Sequence, residues 1–217
     1  MKHEILITEK MKKEGLSDLL IQDFLTKVEK VRTGETGKVK WETIGDLDPD
    51  KDEIDLEVLR KKYPIKKETL SKLVVIKLNG GLGTSMGLEK AKSLIPIKDG
   101  LSFLKIVANQ VKFMRKKYGV EIPLILMNSY NTEADSLEEL KKSDFTQEIT
   151  TSFLQNKVPR LNQSDLTPIT LSDKKEEWCP PGHGDIYLSL KETGILEKLL
   201  SHGFEYAFIS NGDNLGA

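Results

Sequence analysis

The chain has 217 residues, and its 33 lysine and arginine residues nearly balance its 34 aspartate and glutamate residues, which gives a formal net charge of −1. This balance excludes nucleic-acid or acidic-membrane binding through overall charge, so we expect any polyanion to be bound by local groups. A single cysteine excludes an internal disulfide framework, and with only three scattered histidines the chain cannot form the usual structural zinc sites. The sequence shows no secretory signal and no long apolar run, so we expect a cytoplasmic chain.

Residues 1–70 predict a helical extension followed by a charged linker. Apolar residues at a four-residue spacing are typical of an amphipathic helix within residues 4–31: Leu16, Leu20, Phe24 and Val28. Gly34 follows this pattern and would end the helix. The linker is rich in charge and interrupted by prolines, with one short helical candidate at 54–60.

The next segment predicts a strand, a tight loop and a crossover helix. A compact β-branched run at 73–78 predicts a buried strand that opens directly into the glycine cluster 79–83. Ser102 can cap a helix with one apolar face, and Gly119 follows the basic last turn of that helix.

Two further strands complete a predicted α/β domain at residues 71–217. The first, 122–127, precedes a helix that begins near Glu133, and the second, 205–210, runs into residues 211–214. Near-continuous apolar strands separated by helices predict a parallel sheet that is covered on both faces. Such sheets bind ligands beyond the carboxyl ends of their strands, so we expect the functional site there.

The glycines at positions 80, 81, 83 and 87 would let backbone N–H groups approach phosphate oxygens without an intervening Cβ. The dinucleotide fingerprint G-x-G-x-x-G does not fit, because Gly81, Gly83 and Gly87 read G-x-G-x-x-x-G. The P-loop pattern also fails, because no Gly-Lys-Ser/Thr follows at the required distance. Spacing alone leaves two interpretations open, a phosphate-binding loop and an ordinary glycine-rich turn.

The residues of this loop are more specific than its spacing. Residues 78–87 read Leu-Asn-Gly-Gly-Leu-Gly-Thr-Ser-Met-Gly and precede Lys92-Ser93. This segment resembles the nucleotide-binding loop of the eukaryotic-type UTP-glucose-1-phosphate uridylyltransferases, also called UDP-glucose pyrophosphorylases. The resemblance implies a catalytic role for Lys92, which would neutralise charge on the reacting phosphates. It also implies substrate contacts from the start of the loop: Leu78, Asn79, Gly80 and Gly81.

The chain departs from the family pattern just before this lysine. Family members commonly have a glycine and a proline there, whereas this chain has Leu88-Glu89-Lys90-Ala91. Lys90 is therefore a competing phosphate ligand, two residues from Lys92 and on a different face if the segment is helical. We favour Lys92 because it stands at the position of the family's lysine.

Two later segments resemble further signatures of the same family. In residues 153–160, the resemblance places Gln155 against the uracil base, whose N–H lies between two carbonyl groups and so complements an amide. In residues 178–185, Trp-Cys-Pro-Pro-Gly-His-Gly-Asp, it places Gly182 and His183 in the nucleotide-sugar site.

A third segment, residues 208–217, is similar to the strand-end motif that carries the family's metal-binding aspartate. The matching residue is Asp213, and a single carboxylate suits Mg²⁺, which is usually held by one or two carboxylates together with substrate phosphates. The resemblance makes Asn211 and Gly212 substrate contacts, although family members typically have another residue in place of Gly212.

The resemblance covers roughly residues 10–217 and corresponds to the N-terminal portion of the family, whose later strands would supply sugar contacts and a second lysine. It implies an incomplete Rossmann-like, glycosyltransferase-A-like nucleotidyltransferase core with an N-terminal helical extension. The implied reaction converts UTP and glucose 1-phosphate into UDP-glucose and pyrophosphate, with Mg²⁺ as cofactor.

Two alternatives to this activity remain. One is a uridine-nucleotide-binding chain without turnover, and the other is a uridylyltransferase for an N-acetylated sugar phosphate. Because an incomplete sheet exposes an unpaired edge, we also expect self-association or completion by a further chain.

Overall fold

The computed structural model describes residues 2–82, 87 and 90–216, which divide into two compact units. The first comprises Met1–Ile65 and Val158–Cys179, and the second comprises Lys66–Lys157 and Pro180–Ala217. The helices are α1 Lys2–Lys13, α2 Asp18–Arg32, α3 Pro49–Asp52, α4 Leu56–Lys62, α5 Lys67–Leu70, α6 Phe103–Tyr118, α7 Glu133–Lys142, α8 Ile186–Glu192 and α9 Ile195–Ser201. The strands are β1 Leu73–Asn79, β2 Pro96–Lys98, β3 Leu101–Ser102, β4 Leu124–Asn128, β5 Ser152–Leu154, β6 Val158–Pro159, β7 Trp178–Cys179 and β8 Tyr206–Asn211. None of the helices in these described ranges is long and apolar enough to cross a bilayer.

The first unit begins with two helices where the sequence predicted one. The single helix expected within residues 4–31 is wrong, because the chain breaks between α1 and α2 at Gly15, which has a φ of +72°. The hydroxyl of Ser17 then accepts a hydrogen bond from the N–H of Leu20 at 3.0 Å and so caps α2. A left-handed glycine followed by a serine cap is the usual way to end one helix and start another. The short helix expected at 54–60 is confirmed as α4.

Residues 158–179 join the first unit through a buried carboxylate. β6 and β7 form an antiparallel pair within it. Glu177, whose side chain is only 6% exposed, accepts hydrogen bonds from Lys10 of α1 at 2.5 Å, from Lys174 at 2.7 Å and from the N–H of Leu171 at 2.9 Å. The sequence predicted a domain boundary near residue 70; the structure adds this distant segment to the first unit.

The second unit is built on a four-stranded parallel sheet with the order β5-β4-β1-β8. The predicted parallel α/β fold is thereby confirmed. Side chains that alternate along β1 and β4 fill two cores, because successive residues of a strand point to opposite faces. Val74, Ile76, Ile125 and Met127 pack with α8 and α9, whereas Leu124 and Leu126 pack with α6 and α7.

The strand order places a crevice beside β1. The chain runs from β1 to β4 and β5 on one side, and returns to β8 on the other side. At such a reversal the connections leave in opposite directions, which opens a space at the carboxyl ends of the strands. The loops that follow β1 and β8 therefore meet at one edge of the sheet.

We predict that Glu177 makes the first unit sensitive to acid. The hydrogen bond from Lys10, followed by those from Lys174 and Leu171, lowers the pKa of Glu177 from 4.5 to about 2. A lowered pKa stabilises the fold above pH 4.5, and this contribution is lost as the pH falls through about 2. Glu177→Gln should therefore destabilise the unit most above pH 4.5, and the difference from the parent chain should shrink in stronger acid.

The measurement is urea unfolding followed by tryptophan fluorescence at several pH values. Both tryptophans, Trp41 and Trp178, belong to the first unit. The matched control is Glu176→Gln, at an exposed neighbour in the same turn. A difference between the Glu177→Gln and parent chains that stays constant with pH would contradict the assignment.

Candidate functional site

A cavity of about 270 Å³ lies at the carboxyl ends of the parallel strands, within the second unit. All eleven residues that the sequence analysis assigned to the site line it: Leu78, Asn79, Gly80, Gly81, Lys92, Gln155, Gly182, His183, Asn211, Gly212 and Asp213. These residues belong to four motifs that are far apart in the sequence, and the fold brings them together in one cavity. Gly83, together with Leu88 and Glu89 of the divergent segment, lies outside the described residues.

The side chain of Asn79 is buried and forms its hydrogen bonds with other residues of the protein. Its Nδ2 donates to Asn128 Oδ1 at 2.7 Å and to Ser136 Oγ at 2.8 Å, and its Oδ1 accepts a hydrogen bond from the hydroxyl of Ser93. Asn79 is 4% exposed. Because both of its N–H groups are occupied, Asn79 can face a ligand mainly through its main chain.

The glycine loop closes on itself. The N–H of Lys92 donates to the carbonyl oxygen of Gly81 at 3.1 Å, and Leu82 pairs with Ala91 in an isolated β-bridge. Lys92 thereby returns to the start of the loop and lines the cavity, where no described carboxylate forms an ion pair with it. Lys90, the competing candidate, is exposed and lies outside the cavity lining, near Glu138. The geometry favours Lys92 as the cation of the site.

Gln155 lies against the backbone of Gly80. A Cβ added to Gly80 would lie 2.5 Å from Gln155 Nε2 and 2.7 Å from Oε1, so only glycine leaves room for this side chain. The N–H of Gln155 donates to the carbonyl oxygen of Asn128 at 2.8 Å, which fixes its backbone at the end of β5. Gln155 is 7% exposed, and its side-chain amide makes no hydrogen bond to any described residue. The amide is therefore available to a ligand in the cavity.

His183 lies in a short 3₁₀ turn that a buried aspartate holds in place. Asp185, 5% exposed, accepts hydrogen bonds from the N–H of Asn156 at 2.7 Å, from Asn156 Nδ2 at 3.0 Å and from Ser189 Oγ at 2.6 Å. Asn156 follows Gln155 directly, so Asp185 ties the loop of Gln155 to the turn of His183. Gly182 precedes the turn with a φ of +107°, a conformation that side-chain-bearing residues rarely adopt.

Asp213 extends from the turn that follows β8. The N–H of Gly212 donates to the carbonyl oxygen of Leu78 at 2.8 Å, and a Cβ on Gly212 would lie 2.9 Å from Asn79 Oδ1. A side chain at this position would therefore crowd Asn79 Oδ1 and the carbonyl oxygen of Leu78 unless the turn shifted. Asp213 is exposed at the cavity and has no ion-pair partner among the described residues.

The donor set at Asp213 fits a magnesium ion held mainly by a substrate. Within the described residues there is no group of three or more His, Cys, Asp and Glu side chains that could enclose a metal. Mg²⁺ retains several waters and needs only one or two carboxylates when phosphate oxygens supply further ligands. Asp213, an exposed carboxylate that lines the same cavity as Lys92 and the glycine loop, meets that requirement.

Three lining residues were not assigned to the site from the sequence: Ser93, Met127 and Pro180. Ser93 directly follows Lys92, and Pro180 lies in the motif 178–185 close to Gly182. Met127 is buried on β4 and pairs in register with Leu78, so the strand alignment is the signal that could have located it.

Comparison with known proteins gives consistent matches. The family model described as "UTP--glucose-1-phosphate uridylyltransferase" matches residues 21–217. A protein of that name from Encephalitozoon cuniculi is 38% identical over 96% of this chain and 41% of its own length, and one from Hordeum vulgare is 40% identical over 89% and 42%. The chain therefore spans less than half of the length of these curated relatives.

Solved structures match the whole chain. A UDP-glucose phosphorylase from Trypanosoma brucei superposes with a TM-score of 0.89 at 37% identity, over 100% of this chain and 46% of that one. The UDP-glucose pyrophosphorylase from Leishmania major gives a TM-score of 0.88 at 36% identity, over 100% and 45%. A single-residue variant of the Leishmania protein, solved in complex with UDP-glucose, gives 0.87 at 35% identity, also over 100% and 45%.

We predict that Gly80→Ala displaces the Gln155 amide without unfolding the chain. The added Cβ would meet only the far end of a flexible side chain, which can rotate away. Gly81→Ala is the matched control, because a Cβ there meets nothing within 4 Å. The side-chain amide resonances of Gln155, followed by NMR, should shift strongly in the first variant and stay in place in the second. Unchanged resonances in Gly80→Ala would rule out this packing.

Proposed function

The chain belongs to the UTP-glucose-1-phosphate uridylyltransferase family, and we propose that its strand-end cavity binds UTP for the formation of UDP-glucose. The observation that carries this proposal is the buried Gln155 amide, which faces the cavity without a hydrogen-bond partner among the described residues. Uracil presents one N–H between two carbonyl oxygens, and a carboxamide offers the complementary acceptor and donors. Adenine and cytosine do not present this pattern.

The cavity offers a cation and hydrogen-bond donors that can bind the triphosphate of UTP. Lys92, with no described ion-pair partner, offers a cation, and Gly80 and Gly81 let backbone N–H groups approach phosphate oxygens. The exposed ring of His183, which also lines the cavity, can donate a hydrogen bond to a phosphate or sugar oxygen. Base and phosphates thus have separate partners within one cavity.

The reaction that we propose is an in-line displacement at the α-phosphorus of UTP. A phosphate oxygen of glucose 1-phosphate forms the new P–O bond, the bond from the α-phosphorus to the β-phosphate oxygen breaks, and pyrophosphate leaves. Negative charge spreads over the equatorial and leaving oxygens, so positioning and electrostatic stabilisation do most of the catalysis. Lys92 would neutralise this charge, while Gln155 and the glycine loop hold the nucleotide in line.

We propose Mg²⁺ as the cofactor, held by Asp213 together with substrate phosphates. When bound, this ion would screen the negative charge of the phosphates. Glucose is the sugar that we favour over an N-acetylated one, because the relatives are named for glucose 1-phosphate and a solved relative holds UDP-glucose. The cytoplasmic setting and self-association stay predictions.

We predict that the chain binds UTP in preference to ATP and CTP, and that Lys92→Ala weakens UTP binding. Losing a hydrogen bond to a charged phosphate should cost about 1.5–3 kcal/mol, while uridine, which lacks phosphates, should bind unchanged. Lys90→Ala is the matched control, because Lys90 lies two residues away and outside the cavity lining. Titration calorimetry with MgUTP and with uridine measures both effects. Equal losses in the two lysine variants, or equal affinity for the three nucleotides, would refute the assignment.

Turnover is a separate measurement on the same chain. Pyrophosphate release that requires both UTP and glucose 1-phosphate, and that falls in Lys92→Ala, is the expected result for the proposed reaction. A folded chain that binds UTP and releases no pyrophosphate would instead support the alternative of a nucleotide-binding chain without turnover.

A further inference from the structure

Lys77 is a buried lysine near the carboxyl end of β1. It is 3% exposed, and its ammonium group donates to Ser210 Oγ at 2.6 Å and to the carbonyl oxygen of Asn214 at 3.1 Å. No carboxylate in the described part of the chain forms an ion pair with it. Burial lowers the pKa of Lys77 below its ordinary value. Lys77 therefore differs from Lys72, which precedes β1 and forms an exposed ion pair with Glu205, the residue before β8.

Burying this amine is unfavourable for the sheet taken alone. An ammonium group that leaves water loses several kcal/mol of hydration, and apolar residues of similar size often replace buried charges without loss of stability. Lys77 stands on the same face of β1 as Val75, whose side chain packs against apolar residues of α6 and β4. A methionine would fit that surface, so hydrophobic packing gives no reason for a lysine.

The two acceptors of Lys77 lie on either side of Asp213 in the chain. Ser210 pairs in register with Lys77 across the β1-β8 ladder, and Asn214 follows Asp213 directly. On the other side of Asp213, the N–H of Gly212 donates to the carbonyl oxygen of Leu78. Consecutive residues of β1, Lys77 and Leu78, thus hold both chain neighbours of Asp213.

We propose that Lys77 is a positioning residue, which fixes the turn 211–214 on β1 so that the Asp213 carboxylate faces the cavity in one orientation. The inference deepens the proposed function, on which it rests for the metal and UTP. Lys77 itself lies outside the cavity lining. Its effect on ligand binding is therefore transmitted through the backbone of Asn214 and through Ser210.

The first test needs no ligand. Lys77→Met keeps the length and apolar stem of the side chain and removes its donors, whereas Lys72→Met removes the exposed bridge at the other end of the same two strands. Hydrogen exchange by mass spectrometry should show faster exchange of residues 211–215 in Lys77→Met alone. Unchanged exchange there would overturn the proposal, whether or not the chain binds nucleotide.

The second test asks whether Lys77 acts through Asp213. Mn²⁺, followed by the relaxation of water protons, reports metal binding in the presence of UTP. Lys77→Met should weaken Mn²⁺ binding about tenfold, as is typical when a group that supports a metal ligand is removed. In the double variant with Asp213→Asn, Lys77→Met should add nothing further. Additive losses would show that Lys77 contributes stability only and would overturn the positioning role.

Two further outcomes are distinguishable from these. If the parent chain binds neither UTP nor Mn²⁺, the proposed function fails, and the exchange experiment alone decides whether Lys77 holds the turn. If Lys77→Met does not fold, Ser210→Ala replaces it, since that change removes one acceptor of the ammonium group and leaves Asp213 intact. Faster exchange of residues 211–215 in Ser210→Ala supports the proposal, and unchanged exchange opposes it.

Discussion

The hydrogen bonds of the Asn79 side chain hold the site together. Asn79 ends β1 where the glycine loop leaves the sheet, and its Oδ1 accepts from Ser93, where the loop returns. Its Nδ2 reaches Asn128 on β4 and Ser136 on α7. One buried amide therefore sets both ends of the loop, and with them the position of Lys92. Buried polar groups are costly when unpaired, so this arrangement resists partial rearrangement.

The sequence predicted those parts of the fold that local patterns determine. β1, β4 and β8 are apolar runs long enough to be recognised, and Ser102 caps α6 as expected. β5 was missed as a strand because it has three residues and depends on pairing with β4. The addition of residues 158–179 to the first unit was also missed, since the ion pair of Lys10 with Glu177 joins residues 167 positions apart. Short strands and long-range pairs leave no periodic signal in the sequence.

The site residues were predicted by resemblance to a family. The structure adds which of their polar groups are hydrogen-bonded within the protein and which face the cavity. Motifs located Asn79 and Gln155 equally well, but only the contacts distinguish an amide that is used internally from one that faces the cavity. Asp185 and Lys77 are further examples, because each acts on residues more than twenty positions away. A one-dimensional pattern reports residue type, whereas the role of a polar group depends on which partners are already satisfied.

Gly212 lies where the turn after β8 comes close to the Asn79 side chain. A Cβ at this position would lie 2.9 Å from Asn79 Oδ1, the same atom that accepts from Ser93 at the return of the glycine loop. The backbone of Gly212, in the turn that carries Asp213, therefore lies close to the oxygen atom that accepts from Ser93. Asp213 and Lys92 are thus each next to a residue that lies against the Asn79 side chain, Gly212 in one case and Ser93 in the other. A carboxylate and a lysine that line one cavity suit the proposed reaction of UTP, since catalysis of that kind depends on positioning.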